Sequence, residues 1–201
     1  MPRPALLAGY SLGELTAFAC AGSIAAAESV QLAAVRARLM DEAVGIPSGL
    51  LAVSGLQEET LRGLCRKHAT EIAIRNGREN FIVGGPSGAL ARLADEATKA
   101  GANRVTRLGV PTPSHTSQLA PAAVSFSEAL HAKMPERLAV PTLSGVDGKV
   151  VRSGRAARAA LQKQMCHTID WAACMETIVS YRPQAVLEIG PGTALSHAAG
   201  S

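Results

Sequence analysis

Gly9-Tyr10-Ser11-Leu12-Gly13 is the five-residue stretch with the clearest chemical content in the sequence. A short apolar run, Leu6-Leu7-Ala8, leads into it, and an Ala-rich segment with helical spacing follows. Strand, tight turn, then helix is the context in which Gly-x-Ser-x-Gly forms a nucleophile elbow, a strained turn that presents the serine hydroxyl. Glycines at 9 and 13 leave room for close packing about that turn. The first amides of the following helix point toward Ser11, and its positive dipole end favours negative charge developing there.

A serine hydroxyl is a weak nucleophile near neutral pH and needs a base within hydrogen-bond reach. Among the five histidines, His68 and His131 fall at expected helix ends, where pairing with the helix terminus is the plainer role. His197 lies beyond a Gly-Pro-Gly turn with no rigid frame, which leaves His115 and His167. His115 sits in Val110-Pro111-Thr112-Pro113-Ser114-His115-Thr116, a proline-stiffened loop at the junction of two parts of the chain, where ligands tend to bind. His167 precedes Thr168-Ile169-Asp170-Trp171. Asp147 and Asp170 are the acids that could orient the base through its other nitrogen, so a triad and a dyad both stay open. Arg36 and Arg38, on the helix expected after the elbow, could each clamp a free carboxylate with two parallel hydrogen bonds. The plainer role for either is a solvated helix surface.

The elements that must position these residues follow from periodicity and breakers. Helices are expected over Leu15–Ala21, Ser23–Ala43, Gln57–His68, Ser87–Ala100, Leu119–Ala132, Arg155–Met165 and Trp171–Ser180. Strands are expected over Leu50–Ser54, Ile72–Arg75, Phe81–Val83, Arg104–Leu108 and Pro141–Ser144, with a short buried strand over Ala185–Ile189. Between 47 and 110 the order is β-α-β-β-α-β, a ferredoxin-like arrangement inserted as a small subdomain. Residues 1–46 and 111–201 then form a larger α/β-hydrolase-like subdomain around the elbow.

Composition bounds the partners. The chain has 201 residues, 47% hydrophobic and only 3% aromatic, so its core is built from Ala, Leu, Val and Ile. Its net charge of +4 is scattered rather than massed and has no aromatic interleaving, which argues against nucleic acid and favours an anionic small molecule or an acidic protein. Four cysteines without Cys-x-x-Cys pairing or metal-ligand spacing fit free thiols in a reducing cytoplasm, with no metal site. No apolar run is long enough to span a bilayer as a helix.

Taken in order, the motifs resemble those of the malonyl-CoA:acyl carrier protein transacylases and related acyltransferase domains. They are Gly9-Tyr10-Ser11-Leu12-Gly13-Glu14, Arg36 within Val35–Met40, Pro113-Ser114-His115, Gln164 seven residues before Trp171, and Glu188-Ile189-Gly190-Pro191-Gly192. The resemblance spans nearly the whole chain. Most family members carry His where this chain has Tyr10. That tyrosine, with Leu143–Gly148 and His167–Met175, is most similar to the malonyltransferase (epsilon) subunit of bacterial malonate decarboxylase.

The resemblance implies a ping-pong acyl transfer without a cofactor. Ser11, activated by His115, attacks the malonyl thioester of malonyl-CoA, and the thiol of an acyl carrier protein's prosthetic arm then accepts the malonyl group. It implies that Arg36 clamps the free carboxylate and that the Gln164 carbonyl orients His115, giving a dyad. The Leu12 amide would be one oxyanion donor. In the subfamily reading, other malonate decarboxylase subunits join the partners. A fatty-acid-synthesis transacylase, a serine hydrolase or thioesterase using the same two residues, and a non-catalytic remnant are the alternatives. Family members also carry an N-terminal segment whose Gly-Gln-Gly loop supplies a second oxyanion donor and a central strand. This chain shows no such segment and stops soon after Gly192, so the expectation is a fragment, weak or inactive alone, of an active parent. Losing one oxyanion donor costs about 2.7–4 kcal/mol.

Overall fold

The structure, a computed structural model, describes residues 3–130 and 137–190. It is a mixed α/β protein. The chain enters through the elbow into α1 (Leu12–Cys20) and α2 (Ala26–Glu42), separated by Gly22 at a positive φ of 79°. It then builds β1 (Ser48–Ser54), α3 (Glu58–His68), β2 (Glu71–Arg75), β3 (Asn80–Pro86), α4 (Ser87–Lys99) and β4 (Arg104–Arg107). A single 3-10 turn at Ser117–Leu119 leads into α5 (Ala120–Ala129). The hairpin β5 (Thr142–Leu143) and β6 (Val150–Val151), α6 (Gly154–Cys166), β7 (Ile169–Asp170) and α7 (Trp171–Ser180) complete the described order.

The main sheet has strand order β4-β1-β3-β2-β7. The first four strands pair antiparallel, and β7 joins β2 in parallel through Ile74 opposite Ile169 and Arg75 opposite Asp170. Alternation along the strands sends side chains to two different cores. Leu51, Val53, Phe81 and Val83 meet Leu61, Cys65, Leu90, Leu93 and Ala97 from α3 and α4. Leu50, Ala73 and Ile74 face the other way, onto Leu143, Ile169, Trp171 and Cys174. A third core gathers α1, α2, α5 and α6 around Phe18, Leu119, Phe126, Leu161 and Met165. The helix α3 also carries Glu58 and Glu59 in its first turn and Arg66, Lys67 and His68 in its last, matching the signs of its dipole.

Three sequence expectations are corrected. The strand expected before the elbow is a single parallel bridge between Leu7 and Thr142, with Leu7 N–H donating to the Pro141 carbonyl and Leu143 N–H donating to the Leu7 carbonyl. The expected third strand is longer than Phe81–Val83 and continues through Gly84 and Gly85 to Pro86. Those glycines are not breakers. A Cβ at Gly84 would stand 2.6 Å from the Thr116 methyl, and one at Gly85 would stand 2.9 Å from that of Thr70. Finally, Ala185–Ile189 is no buried strand: the segment is irregular, and Val186, Leu187 and Ile189 are 69%, 75% and 88% exposed. A strand needs a neighbouring strand to pair with, and the segment belongs to neither sheet. The expected end of the fifth helix, Ala132, and the motif beyond Gly190 lie outside the described residues.

Candidate active site

Ser11 occupies the N-cap of α1 with φ 52° and ψ −115°, a region that costs a non-glycine residue about 1–3 kcal/mol and persists only where its surroundings enforce it. The enforcement is visible. A Cβ on Gly9 would run into the Gly13 carbonyl, so only glycine lets the incoming chain cross so close to the first turn. Gly13, by contrast, has open space around its Cα. Gly13 N–H donates to the Tyr10 carbonyl at 2.9 Å and Glu14 N–H to the Ser11 carbonyl at 3.0 Å, closing the turn. No backbone acceptor takes the Leu12 N–H among the described residues, as is usual for the first amide of a helix.

Ser11 Oγ lies 2.8 Å from His115 Nε2. The other ring nitrogen, Nδ1, meets the Gln164 carbonyl. A carbonyl can only accept, so Nδ1 carries the proton and Nε2 presents its lone pair to the serine hydroxyl. His115 is 1% exposed, and burial pulls its imidazole down to about 4; nearby Arg36 pushes the same way, against the Gln164 contact. It is therefore neutral, the form that can accept a proton, throughout the physiological range. His115 also has a positive φ of 63°. Its loop is held by the His115 N–H to Met165 carbonyl bond at 3.0 Å and by Thr116 Oγ1 donating to the Pro113 carbonyl at 2.6 Å. Glu71 at the start of β2 accepts from both the amide and the hydroxyl of Ser117.

Gln164, on α6 and 1% exposed, is the hub. Its Nε2 donates to the Ser11 carbonyl at 2.9 Å, and its Oε1 accepts from Arg36 Nη2 at 3.4 Å. Arg36 is buried on α2. Burial lowers its guanidinium to about 10 while Glu14 opposes that shift, so the charge is kept at neutral pH. The competing Arg38 is exposed beside Glu42, at 3.8 Å. Ser11, His115, Gln164 and Arg36 thus form one continuous hydrogen-bonded chain, with Leu12 beside it.

The other candidates lie elsewhere. His167 is exposed, against Cys166 Sγ and the Lys163 carbonyl. His68 is buried between α3 and α4, 3.3 Å from Glu96. Asp170 caps α7 at Ala173 and holds Arg75 through two bonds of 3.0 and 2.8 Å, while Asp147 pairs with Lys149. Neither acid reaches His115, whose Nδ1 is already taken. His131 and His197 lie outside the described residues. A separate polar cleft of about 450 Å³ is lined by Glu58, Arg62, Arg75, Thr168 and Asp170 among others. Its two arginines are already paired, with Glu58 and Asp170. Among the described residues no cluster of ligating side chains could hold a metal ion, and no helix is long and apolar enough to cross a membrane.

Residue typing alone passed over two participants. Tyr10 donates its hydroxyl to Asn76 Oδ1 at 3.0 Å and sets its ring edge-on against Trp171, centroids 5.2 Å apart, which ties the elbow to the β2–β3 turn. Glu14 is wholly buried beside the network. Its Ser-x-x-Glu spacing from Ser11 was the available signal.

Such an arrangement can pass a proton from a serine to a neutral imidazole, offer an unpaired amide to a developing oxyanion, and present a buried cation near the acyl group. Residues 2–200 match the family model of the acyl transferase domain. The chain is 31% identical over 198 residues to a malonyl CoA-acyl carrier protein transacylase of Escherichia coli K12, covering 96% of this chain and 64% of that protein. The structure of the malonyl CoA-acyl carrier protein transacylase from Coxiella burnetii superposes with a TM-score of 0.93 at 28% identity, over 98% of this chain and 64% of that one. A malonyl-transacylase solved in complex with its type II PKS acyl-carrier protein superposes with a TM-score of 0.93 at 31% identity, over 98% of this chain and 66% of the other. The chain therefore spans slightly less than two thirds of the length of these relatives.

Proposed function

Because the chain belongs to the acyl transferase domain family, we propose that it carries the Ser-His site of a malonyl-CoA:acyl carrier protein S-malonyltransferase. The observation that carries this reading is the Ser11–His115–Gln164–Arg36 chain of contacts. Ser11 Oγ gives its proton to His115 Nε2 and attacks the thioester carbon, and the carbonyl oxygen becomes an oxyanion beside the Leu12 amide. Collapse breaks the C–S bond, and the proton on His115 leaves with the CoA thiol, giving malonyl-Ser11. In the second half, the carrier-protein thiol gives its proton to His115, attacks the ester carbon, and the proton returns to Ser11 Oγ. The imidazolium formed in each half is stabilised through Nδ1–H by the Gln164 carbonyl, which needs no carboxylate. Arg36 takes the free carboxylate of the malonyl group, which favours malonyl over acetyl. This selectivity also separates transfer from a plain serine hydrolase, to which such a clamp gives little.

We read residues 47–110 as the small ferredoxin-like unit and the remainder as the larger subdomain; the β4-β1-β3-β2 strand order supports the division. The finer role, service to malonate decarboxylase in the cytoplasm, is supported by Tyr10 and by the segments around Asp147 and Asp170, and by four free cysteines. The test is a pulse–chase. Protein loaded with labelled malonyl-CoA and freed of excess donor should hand the label to the thiol of an added holo acyl carrier protein. Release as free malonate at the same rate with and without carrier would instead make it a hydrolase. Presenting the malonate decarboxylase and fatty-acid carriers together would decide the acceptor, with the former predicted to be preferred.

A further inference from the structure

Glu14 stands three residues past Ser11 in the first turn of α1. Ser-x-x-Glu at a helix start ordinarily closes a capping box, in which each side chain satisfies the other's backbone amide. Here the box is undone. Ser11 makes no side-chain cap, and its hydroxyl goes to His115. The Glu14 carboxyl turns inward, 0% exposed, and neither oxygen has a partner in full hydrogen-bond geometry, although the Gly145 amide and the Gln164 side chain both bear on it. It is packed against the Gly145 backbone so closely that a Cβ there would come 2.7 Å from Oε2. The groups that bear on it are Arg36 from α2, Gln164 from α6, Asp147 from the turn before β6 and Cys174 from α7, with His115 facing Arg36 from its loop. No ion pair joins Glu14 to Arg36 in the described structure.

We propose that Glu14 is a positioning residue for Arg36: its buried carboxyl lies within electrostatic reach of the guanidinium without pairing with it, leaves that charge to a carboxylate on the acyl donor, and competes for it once ionised. The inference rests on the reading of Arg36 as the carboxylate clamp. Burial raises the Glu14 carboxyl to about 8, against the pull of Gly145 and Arg36, so it is neutral at neutral pH. Above about pH 8 it becomes an internal rival anion. Selectivity for a carboxylated acyl group should then fall, although Ser11 and His115 are unchanged.

The experiment measures the rates of Ser11 malonylation and acetylation, from malonyl-CoA and acetyl-CoA, by quenched-reaction mass spectrometry between pH of about 6.5 and about 9.5. The ratio of the two cancels pH effects on the serine, the imidazole and the thioester, which both donors share. The wild-type ratio should fall about tenfold or more across pH 8, as expected for a unit charge appearing beside Arg36, while Glu14→Gln holds it level. Parallel curves for the two proteins would overturn the proposal. Arg36→Ala separates the two readings: if it keeps malonyl preference, the clamp fails and this inference with it; if it loses preference while Glu14→Gln follows wild type, only the role of Glu14 fails. If Glu14→Gln does not fold, Glu14→Met serves the same arm. A readout independent of activity is thermal melting. A carboxyl raised in the folded state stabilises fully below its unfolded value and loses that contribution as pH rises through the folded one. Wild type should therefore lose stability relative to Glu14→Gln between about pH 4.5 and about 8, and melting curves that keep a constant offset would also overturn the proposal.

Discussion

The unit from β1 to β4 and the elbow region use their buried positions differently. In the first, the cluster between the sheet and α3 and α4 is Leu, Val, Phe, Ile, Ala and Cys, with Ser48, His68 and Thr70 as the unit's buried polar side chains, and ion pairs such as Arg62–Glu58 and Arg66–Glu59 stay at the surface. Around the elbow, Glu14, Arg36, His115 and Gln164 are all buried, and both Ser11 and His115 hold positive φ angles. Apolar burial stabilises without regard to direction. A buried polar network is stable only where its groups are directionally matched, and it fixes geometry at a cost in stability. The comparison teaches a division of labour: the sheet unit buries mainly apolar side chains, and the helical part sets a strained, polar arrangement beside an apolar core of its own.

The sharpest way to break that division is at His115. His115→Ala should slow Ser11 acylation by about 10²–10⁴, the usual contribution of a positioned general base, measured as the single-turnover rate of adduct formation. In the wild type this rate should not decline near the ordinary histidine value but should fall only as pH drops toward about 4, where His115 takes up a proton. Because its folded value is depressed, His115 also withdraws stability as pH falls from the unfolded value near 6.5 through about 4.

On the other side, Leu93→Ala, at a fully buried position in the sheet unit, should cost about 2–5 kcal/mol of unfolding free energy. The acylation rate of the folded protein should nevertheless stay unchanged. A proportionate loss of rate at temperatures well below melting would show that the two regions are not separable. Next is Arg36→Ala, expected to reduce malonyl-over-acetyl preference by about 10- to 150-fold, the equivalent of a charged hydrogen bond worth about 1.5–3 kcal/mol; a competition between the two CoA esters measures it. The smallest effect belongs to Arg75→Ala, which removes a partly exposed link between β2 and Asp170. It should cost about 0.2–1 kcal/mol, read from denaturant midpoints, and leave the acyl preference intact.

Ser11 and His115 were legible from residue type and context, one through its glycine-bracketed turn and the other through a loop stiffened by Pro111 and Pro113. Arg36 could not be told from Arg38 by spacing, since burial on α2 separates them and burial is a tertiary property. Gln164 acts through its backbone carbonyl toward His115, a group every residue carries, so only the family resemblance pointed to it. The β-α-β-β-α-β order was readable because α3 and α4 show strong helical periodicity between short apolar runs. The strand expected over Phe81–Val83 runs on through Gly84 and Gly85, because glycine serves close packing as well as turns. The run Ala185–Ile189 misled because hydrophobicity states a preference for burial, and a strand forms only where a neighbour meets it. Glu14 could be suspected from its spacing to Ser11, but its burial, like that of Arg36, is a tertiary property.

The central claim is that Ser11, with His115 as base, takes up a malonyl group. Intact-mass measurement and peptide mapping after incubation with malonyl-CoA test it most directly. The account predicts one malonyl adduct, on the peptide containing Ser11, absent from Ser11→Ala and hardly formed by His115→Ala. A folded wild-type chain that gains no adduct, or gains it on a residue other than Ser11, would contradict it.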